Sequence, residues 1–121
     1  MSKFLTVFLC MFFSLQSSVA SAQVFPNQKT EVWVAKDFRF HTGEVVSSLN
    51  IGYTTLGNPA GETVVILHGT TGTGLGMLNS SFGGELFGPG QPLDASKYFI
   101  VLPDAIGTGK SSKPSDGLRT K

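Results

Sequence analysis

Two unbroken apolar runs stand out in a chain that elsewhere alternates or turns. Val64-Val65-Ile66-Leu67 leads into His68-Gly69-Thr70-Thr71-Gly72, and Tyr98-Phe99-Ile100-Val101-Leu102-Pro103 leads into Asp104-Ala105-Ile106-Gly107-Thr108-Gly109-Lys110-Ser111. A short apolar run bounded by turn residues is the pattern of a strand buried on both faces, and such strands belong to parallel sheets. The pattern predicts strands over 63–67 and 97–103, each ending in a glycine-rich loop. Upstream, residues 31–40 and 45–56 are rich in strand formers, with alternation clearest at Phe38-Arg39-Phe40. His41-Thr42-Gly43-Glu44 between them makes the pair an antiparallel hairpin, and Gly57-Asn58-Pro59-Ala60-Gly61-Glu62 is a second turn.

Residues 68–97 are glycine-rich, and Met77, Leu78, Phe82 and Leu86 are spaced to line one face of a helix of two or three turns. Two apolar strands joined by a crossover of this length make a parallel α/β unit. Ligands bind beyond the carboxyl ends of such strands, where both glycine-rich loops lie. No covering helix follows the second run, although a parallel sheet needs both faces covered. The expected architecture is therefore α/β with an incomplete sheet: an antiparallel hairpin plus two parallel strands, the front of a longer protein.

The first 22 residues have a different pattern. Lys3 precedes an apolar run over 4–15, and Ala20-Ser21-Ala22 gives a small-x-small cleavage site. This predicts an export signal over 1–22, a mature domain over 23–121, and a periplasmic or secreted location. The apolar run is too short to span a bilayer, so no stable membrane insertion is expected after cleavage. Cys10 lies within the signal, which leaves the mature chain without thiol or disulfide chemistry.

The 121 residues carry 9 Lys and Arg against 8 Asp and Glu. Removing Lys3 with the signal balances the two. No basic patch points to nucleic acid. His41 and His68 are the only histidines, too few with no cysteine for a zinc site of the usual kind, so no metal and no cofactor are expected. Gly109-Lys110-Ser111 resembles the end of a phosphate-binding loop, but Asp104 stands where that loop needs glycine, and a carboxylate there repels phosphate. Gly72, Gly74 and Gly76 also miss the final spacing of a dinucleotide fingerprint.

Small residues after the first apolar strand leave the backbone N–H groups of Gly69, Thr70 and Thr71 uncovered, so a reacting oxygen can approach them. His68 either braces that turn for oxyanion stabilisation or simply caps a tight turn. Asp104 is read as a loop or capping residue, and Ser111 and Ser112 as loop hydroxyls.

A strand ending in His-Gly, a glycine-rich crossover, and a strand ending in Asp-x-x-Gly-x-Gly-x-Ser together resemble the amino-terminal half of the α/β-hydrolase fold. Within it, Tyr53-Thr54-Thr55-Leu56-Gly57 and Phe87-Gly88-Pro89-Gly90-Gln91-Pro92-Leu93-Asp94, followed by Lys97-Tyr98-Phe99-Ile100-Val101, are similar to the homoserine O-acetyltransferase branch. The resemblance covers about residues 45–114. That branch carries an asparagine and a Gly-Gly-Cys run where this chain has Asp104 and Gly107-Thr108-Gly109, and its biosynthetic work is cytosolic.

The resemblance implies acyl transfer through a serine ester, acting on a small-molecule ester or amide. It places the nucleophile, acid and histidine later than any residue here, so no catalytic residue is assigned. What it assigns is part of an oxyanion hole: the N–H of Thr70 first, with Gly69 and Thr71 as neighbours, and His68 as support. The expected function is that of an exported relative of ester hydrolases and acyltransferases, the present chain being inactive by itself. The alternative is a small secreted binding module that uses the glycine-rich face without catalysis.

Overall fold

The computed structural model describes residues 23–117; the expected export signal lies outside the described residues. Four strands form one mixed sheet: β1 (Lys29–Arg39), β2 (Val45–Gly57), β3 (Glu62–Val65) and β4 (Tyr98–Pro103), in the order β1-β2-β4-β3. β1 and β2 form the expected antiparallel hairpin, with Trp33 opposite Ile51 and Arg39 opposite Val45. Its turn closes through Gly43 N–H on the Phe40 carbonyl, with Gly43 at φ +94°. Asp37, at φ +50°, drops out of the ladder between the pairs Lys36–Ser48 and Phe38–Val46. β2 runs antiparallel to β4, and β3 runs parallel to β4 with Val64 opposite Ile100.

The core lies on one face of this sheet. Leu56, Ile100 and Leu102 are fully buried there, joined by Phe25, Leu78, Phe87 and Ala95, with Val64 and Ile66 packed against them. Phe87 meets Phe25 and Phe82 edge-on, at centroid distances of 5.6 and 6.3 Å. Aromatic edge contacts of this kind contribute about 1 kcal/mol beyond area burial. A second, smaller cluster of Ala35, Val46 and Leu49 sits within the hairpin.

The structure corrects two expectations. β3 is not buried on both faces: Val64 and Ile66 pack inward, whereas Val65 is 60% exposed and Leu67 73% exposed. Among the described residues β3 is an edge strand, and nothing covers its second face. An apolar run licenses two-sided burial but does not supply the second layer. The crossover helix is also shorter than its spacing suggests. A 3-10 turn at Leu75–Met77 and a single α turn, α1 (Gly83–Leu86), replace it. The Asn79 side chain accepts the N–H groups of Ser81 and Phe82 at 3.0 Å each, which competes with helix continuation, and Gly83-Gly84 follow.

The Phe87–Asp94 segment delivers the chain into β4. The Gln91 amide accepts from Gly88 N–H and donates to the Gly84 carbonyl. The Asp94 carboxylate accepts from the N–H groups of Gly90 and Ser96 and from the Ser96 hydroxyl. Those bonds, the Gly90 N–H foremost, hold its pKa down to about 2.

Candidate oxyanion site

β3 and β4 are parallel neighbours, so the loops leaving them emerge side by side at one edge of the sheet. The Ile66 N–H on the Val101 carbonyl is the last rung before the chain turns away. Gly72 N–H then bonds the Gly69 carbonyl at 3.0 Å, closing a four-residue turn with Thr71 at φ +64° in its third position. That is the type II pattern, which ordinarily wants glycine there. A β-branched residue in the left-handed region stores on the order of 1–2 kcal/mol of strain.

Gly69, Thr70 and Thr71 are exposed. Among the described residues, none of their three N–H groups donates a hydrogen bond. Such donors, fixed by a turn and open to solvent, are positioned to meet an anion or a developing oxyanion. Beside them lies an open cavity of about 380 Å³, lined by Leu67, His68, Thr70, Thr73, Met77 and Phe82 among others.

Two side chains fasten the turn to the loop after β4. His68 Nε2 accepts the Ala105 N–H at 3.0 Å, and its Nδ1 lies 2.7 Å from the Gly69 carbonyl. An acceptor at Nε2 and a carbonyl at Nδ1 require the neutral imidazole with its proton on Nδ1. His68 thus ties the first residue of the turn to the neighbouring loop, and Thr108 Oγ1 lies 3.3 Å from the same Nε2.

Asp104 is the second fastener. Its side chain is buried; Oδ1 accepts the Gly74 N–H at 2.7 Å and Oδ2 the Lys110 N–H at 2.8 Å. Its own N–H donates to the Gly52 carbonyl, and its carbonyl accepts the Ser111 hydroxyl at 2.7 Å. A Cβ on Gly74 would meet the Leu102 carbonyl oxygen at 2.1 Å, and one on Gly109 would meet the Asp104 carboxylate at the same distance. Gly74 thus lies against the β4 backbone and Gly109 against the Asp104 carboxylate of its own loop, and only glycine fits at both points.

The structure therefore brings His68, Gly69, Thr70 and Thr71 together at one strand end with Asp104 immediately behind. Sequence reasoning undervalued Asp104: it clamps two loops rather than capping one. The readable signal was an aspartate between an apolar strand and closely spaced glycines, the places where backbone comes near enough to be held. The Ser111 hydroxyl accepts Gly52 N–H, and the Ser112 hydroxyl accepts Asn50 N–H. Both serines are thereby committed to the backbone. His41 lies in the β1–β2 turn, and among the described residues no three His, Cys, Asp or Glu side chains gather to hold a metal.

No family model matches the chain. It is 32% identical over 95 residues to a homoserine O-acetyltransferase of Leifsonia xyli, a match covering 66% of this chain and 24% of that protein. Among solved structures, an acetylester hydrolase from Corynebacterium glutamicum superposes with a TM-score of 0.57 at 25% identity, covering 71% of this chain and 24% of that one. Homoserine O-acetyltransferase from Staphylococcus aureus superposes with a TM-score of 0.56 at 21% identity, over 74% of this chain and 28% of that one. The chain spans about a quarter of the length of the relatives it matches. Over the matched segment it is a homologue of the homoserine O-acetyltransferases, related also to acetyl esterases, and carries part of the α/β-hydrolase fold.

Proposed function

We propose that this chain supplies the oxyanion-binding part of an exported acyl-transfer enzyme, a hydrolase or acyltransferase working through a serine ester on a small-molecule ester or amide. The observation that carries the proposal is the set of unengaged N–H groups at Gly69, Thr70 and Thr71, held on a strained turn by His68. Thr70 N–H is the principal donor. In the second position of a type II turn it faces away from the turn's own hydrogen bond. Acyl transfer develops negative charge on the carbonyl oxygen, and preorganised donors stabilise it without reorganising. His68 serves as a positioning residue. Its Nε2 is occupied by Ala105, so it takes no proton from a nucleophile in this arrangement.

The named activities of the relatives, homoserine O-acetyltransferase and acetylester hydrolase, support acyl transfer or ester hydrolysis as the class of chemistry. Export is inferred from Lys3, the apolar run and Ala20-Ser21-Ala22. The test is a graft: residues 45–114 replace the matched segment of the Leifsonia xyli homoserine O-acetyltransferase, and acyl transfer and ester hydrolysis are assayed. Retained turnover is expected, whereas the 121-residue chain alone is expected to turn over no ester. A graft that folds and binds substrate but has lost its chemical step would overturn the proposal.

A further inference from the structure

The open cavity of about 380 Å³ beside the free donors has an uncharged wall. Gly69 and Thr70 line it together with Leu67, Met77 and Phe82, so an oxygen held on Thr70 N–H has apolar side chains close by for the group it carries. Met77 and Phe82 are packed against the core, and Phe82 meets Phe87 edge-on, which fixes that wall in place. The polar side chains on the wall are neutral and engaged. Thr73 Oγ1 accepts Gly76 N–H at 2.9 Å, and the Asn79 amide donates to the Gly76 carbonyl while accepting from Ser81 and Phe82. His68 spends one ring nitrogen on Gly69 and the other on Ala105. Among the described residues no Asp, Glu, Lys or Arg lines the cavity. A charged group placed there would give up water without meeting an opposite charge. A methyl group, close to a water in size, fills little of the space, since one water needs about 10–15 Å³.

We infer that this cavity holds the acyl chain of the substrate, and that the chain is neutral and longer than acetyl, on the scale of a hexanoyl group. Met77 and Phe82 are then its specificity-determining residues. The inference rests on acyl transfer at Thr70, as proposed above. The acyl group stays on the carbonyl carbon while the serine ester forms and breaks down, whereas the alcohol departs after the first step. A wall fixed beside the oxyanion donors serves the group that stays.

The test assays the graft of residues 45–114 on p-nitrophenyl acetate, butyrate, hexanoate and hemisuccinate, and on ethyl and hexyl acetate. A buried methylene is worth about fourfold, so kcat/KM should be at least tenfold higher for the hexanoate than for p-nitrophenyl acetate. It should be at least tenfold lower for the hemisuccinate than for the butyrate. Met77→Trp, which fills the cavity, should lower the hexanoate-to-acetate ratio at least tenfold. A graft that turns over no ester overturns the acyl-transfer reading itself. With turnover present, three results would each overturn the inference alone: acetate preferred over hexanoate, selectivity that follows the alcohol chain instead, or an unaltered ratio in a Met77→Trp graft that still hydrolyses acetate. If Met77→Trp fails to fold, the chain-length profile of the unmodified graft decides.

Discussion

Removing the Asp104 carboxylate tests the loop-to-loop clamp at its strongest point. In Asp104→Ala, Gly74 N–H and Lys110 N–H both lose their acceptor. A hydrogen bond to a carboxylate contributes about 1.5–3 kcal/mol, and an orphaned buried donor carries a further desolvation penalty. The Gly74 bond is buried and takes the larger share; the Lys110 bond is part-buried and takes the smaller. Together they set an expected loss of about 3–5 kcal/mol, against roughly 5–15 for a whole domain. With a urea m-value near 1–1.5 kcal/mol/M for a chain of this size, the midpoint should fall by about 2–5 M, or the variant should be unfolded without denaturant. Asp104→Asn is informative beside it: the amide keeps one acceptor but turns its NH2 toward the other donor, so it should recover less than half of the loss. Urea titration by circular dichroism, with amide exchange at Gly74 and Lys110, measures both. A midpoint shift below about 0.5 M for Asp104→Ala, with both amides still protected, would refute the clamp.

The remaining predictions concern the same edge and the entry to β4. His68→Ala should speed amide exchange at Ala105 and destabilise by about 1–2 kcal/mol, and His68→Gln should recover part of this if its amide oxygen reaches Ala105 N–H; unchanged exchange at Ala105 would contradict the brace. Gly74→Ala places a methyl group against the Leu102 carbonyl oxygen at 2.1 Å and should cost more than about 2 kcal/mol in thermal or urea unfolding. Asp94 has its folded pKa lowered from 3.8 to about 2. A depressed carboxylate contributes stability that is complete above its unfolded value and is lost as pH falls from near 4 toward 2. Asp94→Asn should flatten that stretch of the stability–pH profile, and an unaltered slope would count against the Gly90 and Ser96 bonds as its cause.

How much was legible in the sequence differed from element to element. The hairpin, both parallel strands and the place where their loops converge follow from hydrophobic pattern and turn residues, which are local. The second face of β3 was not legible, because Val65 and Leu67 report only that they are apolar, not whether another layer reaches them. The crossover failed for a local reason that composition hides: the Asn79 side chain captures two N–H groups that a helix would have used. In the site, the exposed donors at Gly69, Thr70 and Thr71 followed from small residues at a strand end. The partner of His68 and the Gly74 donor held by Asp104 depend on how closely the neighbouring loops approach, and only the glycine at 74 hinted at that distance.

The central claim is that Thr70 N–H stabilises an oxyanion, and proline tests it with little collateral change. Proline suits the second position of a type II turn, so Thr70→Pro deletes the donor while keeping the turn. In the grafted acetyltransferase, kcat should fall by about 10²–10³, near 3 kcal/mol, with KM little changed, while Thr70→Ala stays close to the unmodified graft. A Thr70→Pro graft that folds and keeps its kcat within about threefold would contradict the account.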